Sequence, residues 1–480
     1  MEVLQRTANR GSISDGGYAI ANSLLLENSD NDKNFNHQQI YTGGDDQWTA
    51  KANEGTNTKK ATISMWIKRS RLSPSSGDGQ HMRLFQFQTG GNATALYLTL
   101  DKINMYDDVT SAYLISNRLL RDTSAWYHIV LAMDSTQSTA ANRVKIYVNG
   151  VQETSWSTED YGNQNADLAM FSTANVTWYL GCAGSQNGGY ALDGYMAEVH
   201  FVDGAQKAAS DFGEFDDSGI WKPKEYTDSY GTLGAYYNFE DTSNNRFNDE
   251  SGNGNYMDNR GGVFEGGIAT DTPTNNFCTW SPLWVYANST NRVISEGGTK
   301  ITGTGAWGGS KGSIGVTNGK WYWENKASGN DTIVGWQTDE GVALTGSSHD
   351  ILSTMALYEA GNYIWLKDST SGRNDTACSG TYAGSQVVGF ALDLDSSPQT
   401  ATFYRNGSAI ASNVNIDGLS GKTIFPFIDQ YNQSTESNFG GYTSISNAHT
   451  NTDENGYGSF IYAPPSGYYA ICTKNLAEYG

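Results

Sequence analysis

The feature that most restricts how this chain can fold is a strand-turn-strand unit that occurs once in each half. His128-Ile129-Val130-Leu131-Ala132-Met133-Asp134 is followed by a polar loop and then by Val144-Lys145-Ile146-Tyr147-Val148-Asn149-Gly150. In the second half, Gly389-Phe390-Ala391-Leu392-Asp393-Leu394-Asp395 leads to Thr400-Ala401-Thr402-Phe403-Tyr404-Arg405-Asn406-Gly407. Both units end in Asn-Gly, the dipeptide that accepts positive φ at both central positions of a type I′ turn. Two copies imply two sandwiches of related topology.

Other segments carry the same two-residue alternation, among them Thr62-Ile63-Ser64-Met65-Trp66-Ile67 and Leu96-Tyr97-Leu98-Thr99-Leu100. Helical periodicity is nearly absent. The 55 glycines far outnumber the 8 prolines, as suits many short strands and tight turns. With 13 Trp, 29 Tyr and 17 Phe, aromatic rings can fill cores that are poor in aliphatic residues. At 480 residues the chain exceeds a single core, so the expectation is all-β with two large domains. The expected boundaries are an arm at residues 1–20, a sandwich at 21–215, an Asp/Asn/Gly-rich connector at 216–281, a second sandwich at 282–445 and a tail at 446–480. One apolar strand, Ala235 to Phe239, interrupts the connector and is a candidate to complete the first sheet.

The net charge of −21 opposes the phosphate neutralisation that nucleic-acid binding needs. No stretch approaches the roughly 20 apolar residues that span a bilayer, and Met1 to Gly17 has no apolar export core. Cys182, Cys278, Cys378 and Cys472 are far apart, which reads as thiols made in a reducing cytosol.

Trp126-Tyr127-His128-Ile129-Val130, the hairpin ending in Asn149-Gly150, and Gly194-Tyr195-Met196-Ala197-Glu198-Val199 together resemble a laminin G or concanavalin A-like lectin domain. Gly319-Lys320-Trp321-Tyr322-Trp323-Glu324, with the second hairpin, resembles a SPRY domain. The order of the two is similar to that in large structural proteins of marine bacteriophages. Three further segments share that likeness: Ser64 to Ser70, Pro273 to Cys278 and Pro464 to Leu476. The resemblance implies two concanavalin-like antiparallel jelly rolls, a virion surface location after synthesis in the host cytoplasm, and an adhesive or decorating role. It also implies a homo-oligomer, a trimer as in many phage fibres, with other virion proteins as partners. An N-terminal arm docked on the particle would leave the SPRY-like loops distal.

Tests for chemistry favour binding over catalysis. Glycosidases need two carboxylates flanking the bond, and in laminarinase-type relatives these lie in a Glu-x-Asp-x-x-Glu strand. Glu214-Phe215-Asp216 is not followed by a Glu in register, and Asp393 and Asp395 read as solvated residues opposite a Phe390, Leu392, Leu394 core face. His128 and His200 read as hydrogen-bonded structural histidines. No enzyme is expected and no cofactor, with calcium the one exception: laminin G domains often bind it at a rim, where Asp193 or Asp203 would serve. The plainer reading of those aspartates is Asx turns.

Lectin sites stack an aromatic ring on a sugar beside amides and carboxylates. Trp156, Tyr161, Trp178 and Tyr190 lie in or next to polar loops of the first half, and Trp336, Tyr358 and Trp365 in the second, so these are the candidate contacts. Trp321 and Trp323 share one strand face and are expected in the core. The functional expectation is a tail fibre or adhesin that binds a host surface glycan or protein; the alternative is a capsid decoration or head-fibre protein.

Overall fold

In the strand Lys60–Arg69, Ile63, Met65 and Ile67 enter a hydrophobic core while Ser64, Trp66 and Lys68 point to the other side. The same division runs through its neighbours and lays out a sandwich. The computed structural model describes residues 18–26, 40–41, 56–75, 80–89, 91–171, 177–182, 190–240, 246–259, 267–284, 292–305, 307–329, 331–340, 354–358, 363–367, 374–377 and 384–480. These are all-β apart from short helical turns and one α-helix, Thr473–Tyr479, and form two units, Ser14–Thr274 and Asn275–Gly480. No helix among the described residues is long and apolar enough to cross a membrane.

The first sheet of the first unit runs Val151–Gln152, Val144–Val148, Trp126–Asp134, Lys60–Arg69, Gly194–Asp203, Ser23–Leu26, Ile268–Ala269. The second runs Trp156–Asp160, Ala112–Leu119, Lys102–Asp107, Asn92–Thr99, His81–Thr89, Thr177–Leu180, Ile40–Tyr41, Met257–Asn259, Arg246–Phe247. Neighbours whose pairing is antiparallel dominate both, and one core joins them, with Met65, Ile129 and Phe201 meeting Phe85, Leu96 and Trp178. Asn149 and Gly150 take φ of 48° and 78°, the left-handed pair of a type I′ turn. Trp221 packs so closely on Gly150 that a Cβ there would come within 2.3 Å of the indole.

Residues 216–274 are not a connector: they belong to the first unit. Ala235–Tyr237 pairs with one half of Gly194–Asp203, and Ser23–Leu26 pairs with the other half along the same edge. The acidic and amide residues that read as loop composition bind backbone instead. Asp249 accepts the N–H groups of Tyr236, Ser251 and Asn255, and Asn255 donates to the carbonyl of Gly234. The end of the expected arm is likewise docked, since Ile20 N–H donates to Thr274 Oγ1.

In the second unit one sheet runs Arg292–Ser295, Lys300–Gly303, Ser434–Asn438, Lys320–Ala327, Val387–Asp393, Thr400–Arg405, Ser408–Asn415. The other runs Trp307–Lys311, Ile424–Tyr431, Thr332–Thr338, Thr354–Tyr358, Tyr363–Lys367, Asn374–Ala377. Trp321 and Trp323 enter the core with Phe390, Leu392 and Leu394. Asp393 departs from the solvated reading: it is buried and paired with Lys320 at 2.9 Å. The tail is part of this unit too. Tyr469–Ala470 lies parallel to Trp321–Tyr322, and Glu324 accepts the N–H groups of Ile461 and Tyr462 at 2.9 and 2.7 Å. Burial pushes the Glu324 carboxyl up to about 7, against the pull of those bonds.

Candidate functional site

In the second sheet of the first unit, Leu96, Leu98, Met105, Leu114 and Trp178 point into the core, so Tyr97, Asn104, Tyr106, Tyr113 and Tyr179 form the opposite face. The strand His81–Thr89 reaches that face through a bulge. Arg83 pairs with Tyr97, but the next pair is Phe85 with Leu96, so both Leu84 and Phe85 fill the core. A bulge re-aims side chains. Here it leaves Arg83 and Gln86 both facing out, beside Tyr97 and opposite Ala95.

The Arg83 guanidinium carbon lies 4.1 Å from the ring centre of Tyr97 and 5.4 Å from that of Tyr106, both within cation–π range. The two rings meet edge to face at 6.0 Å. His81 stands 5.9 Å from Tyr97 and 5.4 Å from Tyr190, with its Nδ1 hydrogen-bonded to Thr99 Oγ1 at 2.6 Å. Gln86 donates to Gln88 Oε1 at 3.0 Å.

Among the described residues Arg83 makes no ion pair, and its Nε and Nη1 and the Oε1 of Gln86 are buried without a hydrogen-bond partner. The nearby carboxylates are used elsewhere: Asp107 accepts from Thr94, Thr110 and Ala169, and Asp108 from the N–H of Ala93. Burial and then the Arg83 charge hold the His81 imidazole below its ordinary value. Burial raises the Tyr97 and Tyr106 phenols, and Arg83 pulls both back. These shifts favour a neutral imidazole at His81 and protonated phenols at Tyr97 and Tyr106, so the charge on this face is that of Arg83.

Residues 42–210, which span this face, match the family model of the concanavalin A-like lectin/glucanases superfamily. No curated protein matches the chain. Among solved structures it is similar to the SPRY domain of human HERC1, at 17% identity over 31% of this chain and 95% of that one, TM-score 0.25. It is also similar to the PSpry domain of TRIM65, at 16% identity over 34% and 89%, TM-score 0.25. A third is the native heptameric SAP-like pentraxin from Limulus polyphemus, at 13% identity over 40% and 80%, TM-score 0.26.

Of the residues singled out in the sequence, the structure brings only Tyr190 to this face, beside His81. Trp178 and Trp336 are corrections. Trp178 is fully buried, stacked on Phe87 at 5.0 Å, and Trp336 is buried edge-on to Trp323. Alternation, not the adjacent polar loop, decides their fate. Trp156 and Tyr161 are half-buried and pack on the core from the edge of the second sheet. Tyr358 and Trp365 lie in the strands Thr354–Tyr358 and Tyr363–Lys367, not in loops, and their side chains fall outside the described residues.

The two aspartates raised for calcium are engaged by the protein. Asp193 pairs with Arg71 at 3.0 Å, and Asp203 Oδ2 accepts the N–H groups of Thr56 and Leu233. Among the described residues no three His, Cys, Asp or Glu side chains gather to hold a metal ion. The residues that sequence reasoning missed, Arg83, Tyr97 and Tyr106, carried a usable signal: each stands as a polar or aromatic residue between core-facing neighbours in an alternating strand.

Proposed function

We propose that this chain is a non-enzymatic virion surface protein, a tail fibre or adhesin, whose first sandwich binds a host surface glycan on the outer face of its second sheet. The observation that carries the reading is Arg83, without an ion pair among the described residues, set among Tyr97, Tyr106, His81 and Tyr190 beside Gln86. Sugars present apolar ring faces and hydroxyl edges, and aromatic rings next to amides complement both. The virion placement draws on the likeness of Ser64 to Ser70, Pro273 to Cys278 and Pro464 to Leu476 to phage structural proteins.

The test is adsorption. Purified protein is expected to bind susceptible cells and to compete with phage, and Tyr106→Ala is expected to reduce both by about tenfold or more. Failure of the wild-type protein in both assays at saturating concentration overturns the adhesin reading. Antibody labelling confined to the capsid shell would favour the decorating role instead.

A further inference from the structure

We infer that the glycan taken by this face carries an acidic group, a carboxylate or a sulfate, seated against the exposed edge of Arg83. The inference rests on the reading of the face as a glycan site and adds the ligand class. Guanidinium stays ionised at any physiological pH and is the side chain best matched to carboxylate and sulfate-like oxyanions. In this fold it is held against two tyrosine rings, and its Nε and Nη1 are buried with no hydrogen-bond partner among the described residues. Buried N–H groups are normally satisfied, so an orphaned pair on a charged group calls for an account. A positive charge partly withdrawn from water and lacking a counter-charge attracts an anion at its open edge more strongly than a fully solvated arginine does.

A neutral sugar would leave that charge unmatched. An acidic one would cancel it while stacking its ring on the exposed Tyr113 or the half-buried Tyr106. The local character of the site matters because the chain as a whole is at −21, a net charge that opposes an acidic ligand unless a local cation offsets it. Selection for acidic ligands therefore points to Arg83 itself and not to a general basic surface.

The experiment uses the full-length protein in calorimetric titrations with two matched ligand pairs: oligogalacturonate against its methyl ester, and a sulfated galactan fragment against its desulfated form. The acidic member of one pair is expected to bind at least tenfold more tightly, and which pair shows it separates carboxylate from sulfate. Arg83→Met is expected to erase that preference, so that the acidic and neutral members bind alike, and Arg83→Lys to retain part of it. Equal binding of acidic and neutral members by the wild type overturns the inference and leaves the glycan site standing. Binding of neither member of either pair, with Tyr106→Ala equally without effect on cell binding, removes the site along with the inference. If Arg83→Met does not fold, the wild-type preference and the Arg83→Lys titration decide the matter alone.

Discussion

The two outward faces of the first sandwich hold similar residues and end in opposite states. On the first sheet, Ser64, Trp66, His128, His200 and Tyr236 face away from the core, and the chain after Asp203 folds back over them with Phe212, Trp221, Tyr226 and Tyr230. On the second sheet, His81, Arg83, Tyr106 and Tyr113 also face away from the core but keep part of their surface exposed, around a buried Tyr97. Both faces are rich in rings and imidazole. They differ in partner accounting. On the covered face Trp221 Nε1 donates to His128 Nδ1 at 3.0 Å, which leaves His128 Nε2 to donate to Ser64 Oγ at 2.8 Å. On the open face Arg83 and Gln86 keep groups without partners. Aromatic density alone thus does not mark a site; unmatched polar groups on an aromatic face do.

The largest expected effect lies on the covered side. Lys68 and Asp271 form an ion pair at 2.6 Å with both side chains 1% exposed, and Trp126 Nε1 donates to the other Asp271 oxygen. Asp271→Ala removes the carboxylate paired with a buried ammonium and is expected to cost about 3 to 5 kcal/mol. Chemical denaturation of the first unit reads this directly. A loss below 1 kcal/mol would mean that the face is less sealed than its geometry indicates. Next comes Trp221→Ala, which lifts the indole from between Gly150 and Gly213 and uncovers His128. The expected loss is about 2 to 3 kcal/mol, below that of a fully buried Trp because Trp221 is only half-buried.

The covered face also sets a pH dependence. Burial, and after it the charge of His200, holds the His128 imidazole down at about 3, against an ordinary value of 6.5. The unfolded chain therefore binds a proton that the folded chain refuses. The His128 contribution is fully present above pH 6.5 and is lost progressively as pH falls from 6.5 toward 3. A single such group gives a slope of about 1.4 kcal/mol per pH unit within that window. Wild type compared with His128→Gln across pH 6.5 to 4.5 isolates it, since other titrating groups cancel in the difference. Equal slopes would show that His128 is accessible to protons in the folded state.

What the sequence disclosed and what it withheld follow one physical line. The hairpins were legible because turn chemistry is local: Asn406 and Gly407, like Asn149 and Gly150, take the positive φ that only such residues accept cheaply. The inward placement of Trp321 and Trp323 was legible from two-residue alternation. The role of residues 216–274 was not, because Asp249 and Asn255 satisfy backbone groups 13 and 21 residues away in the chain, and composition cannot distinguish that from a solvated loop. The candidate site was hidden for a different reason. It depends on a bulge between Arg83 and Phe85 that sets Arg83 opposite Tyr97 and not opposite a carboxylate, which is a property of register. Only Tyr190 was visible beforehand, since its position next to a polar loop happened to fall beside His81.

The smallest effect on stability should accompany a clear effect on binding, and that pairing is what the open face predicts. Tyr113 is 39% exposed and sits opposite Tyr106 in the row Gln86, Ala95, Tyr106, Tyr113, Asp160. Removing an exposed ring costs little folding free energy, about 0.5 kcal/mol or less, because surface substitutions rarely exceed that. Stacking a sugar ring on an aromatic face contributes on the order of 1 kcal/mol, comparable to other aromatic contacts. Tyr113→Ala is therefore expected to melt like the wild type and to bind glycan about five- to tenfold more weakly, for acidic and neutral ligands alike. A matched exposed ring off this face, Phe215→Ala, provides the control: Phe215 is 52% exposed on the hairpin that covers the first sheet. If both variants lower glycan binding equally, recognition is not confined to the second sheet, and the contrast between the two faces fails as a guide to function.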